Sequence, residues 1–192
     1  MEGRMKTVAL VGRSELSYRL APYNDPTVHI WSLKDLLSSK FIPRADAMFE
    51  MHNPDKWGKA EHFYNDPLYL DWLYAPHDFP IYMNKYYSDI PACSEYPLAA
   101  IKTRYLRHVW HGPHSLRHFF CDTPSYMFAL AIVGGYTRIE FYGIEMASIS
   151  EYRYQRDCFH FWAGVASTLG IDVVVPEVSA LFDTELYGYG WK

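Results

Sequence analysis

Two rhythms of apolar residues run along this chain. Thr7 to Val11 (TVALV), Thr27 to Trp31 (TVHIW), Ala47 to Met51 (AMFEM), Pro80 to Met83 (PIYM), Arg138 to Tyr142 (RIEFY) and Asp172 to Val175 (DVVV) are short runs rich in β-branched and aromatic residues. Gly, Pro, Asn or Ser punctuates them, as expected of buried strands. Between the last two pairs the period lengthens to that of helices. Asp122 or Thr123 can cap a helix with Pro124 in its first turn, running through Ile132 to Gly134-Gly135. A longer helix opens at Ser150-Glu151, places Cys158, Phe159, Trp162, Val165, Ala166 and Leu169 on one face, and closes at Gly170. Pro67 to Tyr74 reads as a further helix. From Asn53 to Lys102 the periodicity is weak, and short helices and functional loops are expected.

Strand alternating with helix predicts an α/β fold: a mainly parallel sheet with helices on both faces and right-handed crossovers. The 192 residues carry no repeat, low-complexity tract or linker, so one Rossmann-like domain over residues 1–192 is expected.

Composition narrows the function. A formal net charge of -4 argues against general nucleic-acid binding, which needs a basic face. Cys93, Cys121 and Cys158 are widely spaced and form no CxxC pair, which excludes a disulfide framework or zinc knuckle and suggests a reducing, cytoplasmic setting. Glu2, Arg4 and Lys6 interrupt any N-terminal signal segment. No run approaches the roughly 20 apolar residues of a membrane span. Tyrosines number 17 and tryptophans 6. With the Leu186–Trp191 tail, which alternates apolar residues and glycine, they lead us to expect a homo-oligomer.

In open parallel sheets, ligands bind beyond the carboxyl ends of the strands. Polar groups follow the expected strands at corresponding places: Gly12-Arg13-Ser14, Ser32, His52-Asn53, Asn84, Gly143 with Glu145, and Glu177 to Ser179. They define one candidate rim. Gly12 permits a sharp turn whose amides suit a phosphate, and Arg13 adds a charged donor, although neither a three-glycine dinucleotide fingerprint nor a GK[ST] loop is present. His108, His111, His114 and His118 lie in one stretch that Gly112-Pro113 breaks. They are read as metal ligands, as groups acting on an anionic ligand, or as solvated loop residues. Glu151 suits the positive end of its helix, with Gln155 and Arg156 one turn further on.

Ser125 to Met146 (SYMFALAIVGGYTRIEFYGIEM) resembles a block shared by the bacterial sialyltransferases that include the Campylobacter enzymes. It also resembles archaeal-type 6-hydroxymethylpterin diphosphokinase-like and flagellin glycosyltransferase-like proteins. Val8 to Ser14, Phe49 to Pro54 and Val175 to Leu181 are similar to those groups' opening nucleotide loop, third strand end and final segment, in the same order. Small phage-encoded proteins are similar too. The resemblance covers about half the chain. It implies a nucleotide held by Gly12, Ser14, Asn53, Ser125, Gly143 and Ser179. Arg13 replaces a small polar residue of that pattern, and Glu145 stands where it has Asp. The sialyltransferases' lid histidine has no counterpart before the Glu151 helix, which argues against sialyl transfer. Glu145, Glu151 and Gln155 instead resemble the diphosphokinase-type arrangement, in which carboxylates hold Mg²⁺ against phosphates.

The expectation is therefore a transferase using a nucleotide or nucleotide-sugar donor, for glycosyl or phosphoryl transfer. Its catalytic candidates are His111, His114, Glu145 and Glu151, and the two glutamates are also its metal candidates. The ligand candidates are Gly12, Arg13, Ser14, Ser32, His52, Asn53, Ser125, Gly143, Gln155, Arg156 and Ser179. The alternatives are a protein that captures a nucleotide-like ligand without turnover, and a structural subunit.

Overall fold

Strand β1 (Thr7–Val11) is buried from its second residue onward and lies inside a sheet. The computed structural model describes residues 5–34, 36–53, 68–107, 118–146 and 152–182. Within them, β1 pairs in parallel with β2 (Val28–Leu33) on one side and with β6 (Arg138–Tyr142) on the other. The remaining strands are β3 (Ala47–Glu50), β4 (Ile81–Met83), β5 (Cys93–Glu95) and β7 (Asp172–Val174). They complete a seven-stranded sheet in the order β5-β4-β3-β2-β1-β6-β7. All six strand pairings are parallel. The chain works outward from β1 to β5, then crosses back to the other side of β1. The strand order therefore reverses between β1 and β6.

The pleat sends alternate side chains to opposite faces. Val8, Leu10, Trp31, Phe49, Ile139 and Phe141 meet α3 (Thr123–Val133) and α4 (Tyr152–Thr168) on one face. Ile101 and Leu106, from α2 (Leu98–Ile101) and the π-helical turn Lys102–Leu106 that continues it, join the same layer. Ala9, Val11, Val28 and Ile30 pack on the other face against Tyr18, Leu36 and Ile42. Beside them, Met48, Ile81 and Met83 meet Tyr69 and Leu73 of α1 (Tyr69–Tyr74). The α/β architecture with helices on both faces is as expected.

Helix α3 is buried from Met127 to Ile132 because it is covered by the sheet, α2 and α4. Burying each of its larger side chains contributes about 1.5–3 kcal/mol. Asp122 caps it, accepting the Ser125 amide at 2.6 Å. Gly135, at φ +72°, turns the chain out of the helix, as glycine allows.

Two local expectations need correction. β2 extends to Leu33, so Ser32 lies within the strand rather than after it; it is fully buried on the Tyr18 face. Leu169 lies past the last turn of α4 and is 51% exposed, so it does not join that helix's buried stripe. β5 has no counterpart among the expected strands, and α2 with its π-helical turn lacks a legible period. The aromatic surplus has an internal use. Trp31, Phe49, Tyr82 and Tyr136 form one chain of ring contacts, and Phe119, Phe120, Tyr126, Phe161 and Trp162 form another. The Leu186–Trp191 segment lies outside the described residues. No described helix is long and apolar enough to cross a membrane.

Candidate functional site

Because every strand is parallel, their carboxyl ends share one edge of the sheet. Helix α3 leads into the start of β6 and so runs antiparallel to the strands; its N-terminus, with Asp122 and Ser125, returns to that same edge. The rim holds three groupings.

The first lies where the strand order reverses, the preferred place for a ligand crevice. Gly12 follows β1 and Gly143 follows β6, and their backbones touch. A Cβ on Gly12 would sit 2.3 Å from the Gly143 carbonyl oxygen, and one on Gly143 would sit 2.5 Å from that of Gly12. Gly143 also has φ +66°, a conformation that favours glycine. The Gly12 amide donates to the Tyr142 carbonyl at 2.8 Å, and the Ser14 amide donates to that of Gly143 at 2.9 Å. Both amides are used inside the junction, and the small residues are there because two strand ends meet. Ser17, 1% exposed, locks the contact: its hydroxyl accepts the Gly143 amide at 2.8 Å and donates to Glu145 Oε1 at 2.6 Å. Glu145 Oε2 is buried with no partner among the described residues. The Arg13 guanidinium lies 5.0 Å from the Phe41 ring centroid.

The second grouping is at the ends of β3 and β4. Glu50, the last residue of β3, is fully buried. A buried carboxylate is costly unless donors surround it, and three do. Oε1 accepts the His52 amide at 3.0 Å and His52 Nδ1 at 2.7 Å; Oε2 accepts the Tyr69 hydroxyl at 2.7 Å. Next to them, Asn84 Nδ2 donates to Asn53 Oδ1 at 3.1 Å, and the Tyr87 hydroxyl donates to Asn84 Oδ1 at 2.9 Å.

The third grouping is the start of α3. Ser125 is fully buried, and its hydroxyl has no partner among the described residues. Burial pushes the Asp122 carboxyl up to about 6, against the opposing pull of its hydrogen bond from Ser125. Tyr96, just past β5, ties this helix to the rim by donating to the Tyr126 carbonyl at 2.9 Å.

Of the expected residues, Gly12, Arg13, Ser14, Gly143, Glu145, His52, Asn53 and Ser125 stand at this edge. Ser32 is sealed beneath it. Ser179 lies beyond β7, where its hydroxyl accepts the Leu181 amide at 3.3 Å and closes a turn. Arg156 donates to the Leu181 and Ala180 carbonyls at 3.2 and 2.7 Å, fastening α4 to that turn. Gln155 is half-buried at the start of α4. His111, His114 and Glu151 lie outside the described residues.

Glu50, Tyr69 and Ser17 are not among the residues expected from sequence. Glu50 carried a signal, since an acid inside an apolar run of a parallel sheet has to be explained; Tyr69 and Ser17 carried none. Among the described residues, no three His, Cys, Asp or Glu side chains are grouped to hold a metal by themselves. Glu145, with one orphan oxygen, fits the smaller role of sharing Mg²⁺ with phosphates.

No protein-family model matches the chain, and no curated protein is significantly similar to it. Solved structures are. The Campylobacter jejuni sialyltransferase CstII in complex with CMP-3FNeuAc is 14% identical, with a TM-score of 0.51 over 89% of this chain and 81% of that one. The same enzyme in complex with cytidine-5'-monophosphate is 16% identical, with a TM-score of 0.49 over 89% and 79%. At such identity the first of these matches establishes a shared fold.

Proposed function

We propose that this chain is a transferase that binds a nucleotide or nucleotide-sugar donor along the carboxyl edge of its sheet. One observation carries the reading: three buried polar atoms, Asp122 Oδ2, the Ser125 hydroxyl and Glu145 Oε2, lack partners among the described residues at that edge. Buried polar groups are nearly always paired, so orphans at a crevice call for a ligand. In support, the fold is shared with a sialyltransferase solved with a CMP-sugar analogue, and the strand order reverses beside Glu145. The α3 N-terminus and Ser125 suit the donor's anionic groups, and Asn53 and Asn84 suit its hydroxyls. Mg²⁺ shared between Glu145 and the donor's phosphates would neutralise charge on the leaving group. A phage source, a cytoplasmic location and a homo-oligomeric state belong to the same proposal. The catalytic candidates His111 and His114, and Glu151 as a second carboxylate, remain part of it too.

Titration calorimetry with CMP, UDP, GDP and their sugars tests the donor site. At least one is expected to bind at micromolar concentration, and about tenfold more weakly to Ser125→Ala, the equivalent of one lost hydrogen bond. Binding weaker than millimolar for the whole panel overturns the reading.

A further inference from the structure

We infer that Asp122 binds the nucleotide-sugar donor as a carboxylic acid, with a proton on Oδ2 that it donates to an anionic oxygen of the donor. Donor binding at the start of α3 therefore takes up one proton. This rests on the transferase reading above and adds to it a recognition group and a regulation of the same site.

A helix start attracts anions through the four amides of its first turn. At the start of α3 two of them are missing. Pro124 has no N–H, and the Ser125 amide is already given to Asp122 Oδ1 at 2.6 Å. Side chains must therefore supply the hydrogen-bond donors. Two buried oxygens of this turn, Ser125 Oγ and Asp122 Oδ2, have no partner among the described residues. Ser125 is fully buried, and its hydroxyl can donate as it stands. A carboxylate only accepts, so an ionised Asp122 would repel the anion. Protonated, Oδ2 becomes a second donor on the residue that caps the same turn, and one anionic group can then satisfy both orphans.

The surroundings favour the acid form. Burial dominates the carboxyl of Asp122 and raises its pKa to about 6, and none of the groups acting on it is a cation. Protonating it at pH 7 therefore lowers affinity only about tenfold, against roughly a thousandfold for an ordinary aspartate. The titratable groups facing it are Cys121, Tyr126 of α3 and Cys158 of α4. Burial makes all three hold their protons more tightly, with Cys121 pushed up to about 12. None of the three changes charge between pH 5 and 8, whereas Asp122 does. A bound anion raises the Asp122 pKa further. Affinity is then full below about pH 5 and falls as pH rises through 6.

Calorimetry from pH 5 to 8 with CMP-, UDP- and GDP-sugars tests this, because their esterified phosphates do not titrate there. A sugar nucleotide that binds should do so about fiftyfold more weakly at pH 8 than at pH 6. At pH 7, titrations in buffers of different ionisation enthalpy should show about 0.9 proton taken up per donor bound. Asp122→Asn keeps an acceptor for the Ser125 amide and carries a permanent donor in place of the acid. Its affinity should be flat with pH, at least tenfold tighter than wild type at pH 8, and without proton uptake. Wild-type affinity that is flat or rises with pH overturns the inference and leaves the transferase reading intact. Proton uptake that persists in Asp122→Asn does the same, as does loss of binding at every pH in a variant with wild-type circular dichroism. If none of the sugar nucleotides binds, the transferase reading falls, and the inference with it.

Discussion

Two parts of one rim use opposite means to finish a strand. After β1 and β6 the chain closes by backbone: Gly12 and Gly143 touch, and Ser17 fastens them to Glu145. After β3 and β4 it closes by side chain, with Glu50 drawing in His52 and Tyr69 while Asn53, Asn84 and Tyr87 link alongside. In sequence the β1–β6 end has the character of a ligand loop, yet its glycines are explained by packing. The β3–β4 end, marked in sequence by His52-Asn53 and Asn84, holds instead a network of linked polar side chains. A glycine after a strand marks close approach, and the structure shows that what approaches Gly12 is another strand end.

The contrast can be broken most directly at the junction. Gly12→Ala puts a methyl group 2.3 Å from a backbone oxygen, and flexible side-chain movement cannot relieve that. A loss of about 3 kcal/mol or more is expected in urea denaturation. If the variant is as stable as wild type but no longer binds nucleotide, Gly12 faces ligand and the contrast fails.

Next in size is the start of α3, which packs beneath β1, β2 and β3 and so underlies both regions. The Asp122 pKa rises from 3.8 in the unfolded chain to about 6 in the fold. Between these values the native state binds more protons than the unfolded one. The contribution of Asp122 to stability is therefore fully present below pH about 4 and is lost as pH rises through 6. Asp122→Asn keeps an acceptor for the Ser125 amide and does not titrate. Its stability relative to wild type should increase between pH 4 and 7, by on the order of 2–3 kcal/mol. A difference that is flat across this range places the charge in water.

The smallest expected effect sharpens the side-chain region. Tyr69→Phe removes one of three donors to Glu50 while keeping the ring packed, and should cost about 1–2 kcal/mol. The His52 tautomer should not change, because His52 binds the other oxygen. Loss of the Nδ1 proton in this variant would mean that Tyr69, rather than the His52 amide, sets the carboxylate.

Much of the scaffold was legible in the chain. β1 and β6 have the bounds their apolar runs predicted, and Asp122, Pro124 and Gly134-Gly135 marked α3 correctly. These elements bury continuous apolar surface and end at residues with strong local preferences, so neighbours in sequence suffice to define them. β5 and α2 were not legible: Cys93–Glu95 has no buried position, and only Ile101 is buried in α2. Their placement comes from pairing with β4 and packing under α3.

The site divides along the same line. The sequence by itself determined a parallel α/β sheet and the edge at which polar groups gather, because period and turn chemistry are local properties. Only the tertiary structure decided what each of those groups does. Gly12 meets Gly143 across a separation of 131 residues, Ser17 meets Glu145 across 128, and Tyr69 reaches Glu50 from 19 residues away. Ser32 is sealed because β2 runs two residues further than its apolar run, held by pairing with Val11 and Met48. Hydrogen bonds and steric contact act over a few ångströms, and that proximity exists only once the sheet has brought distant strand ends side by side.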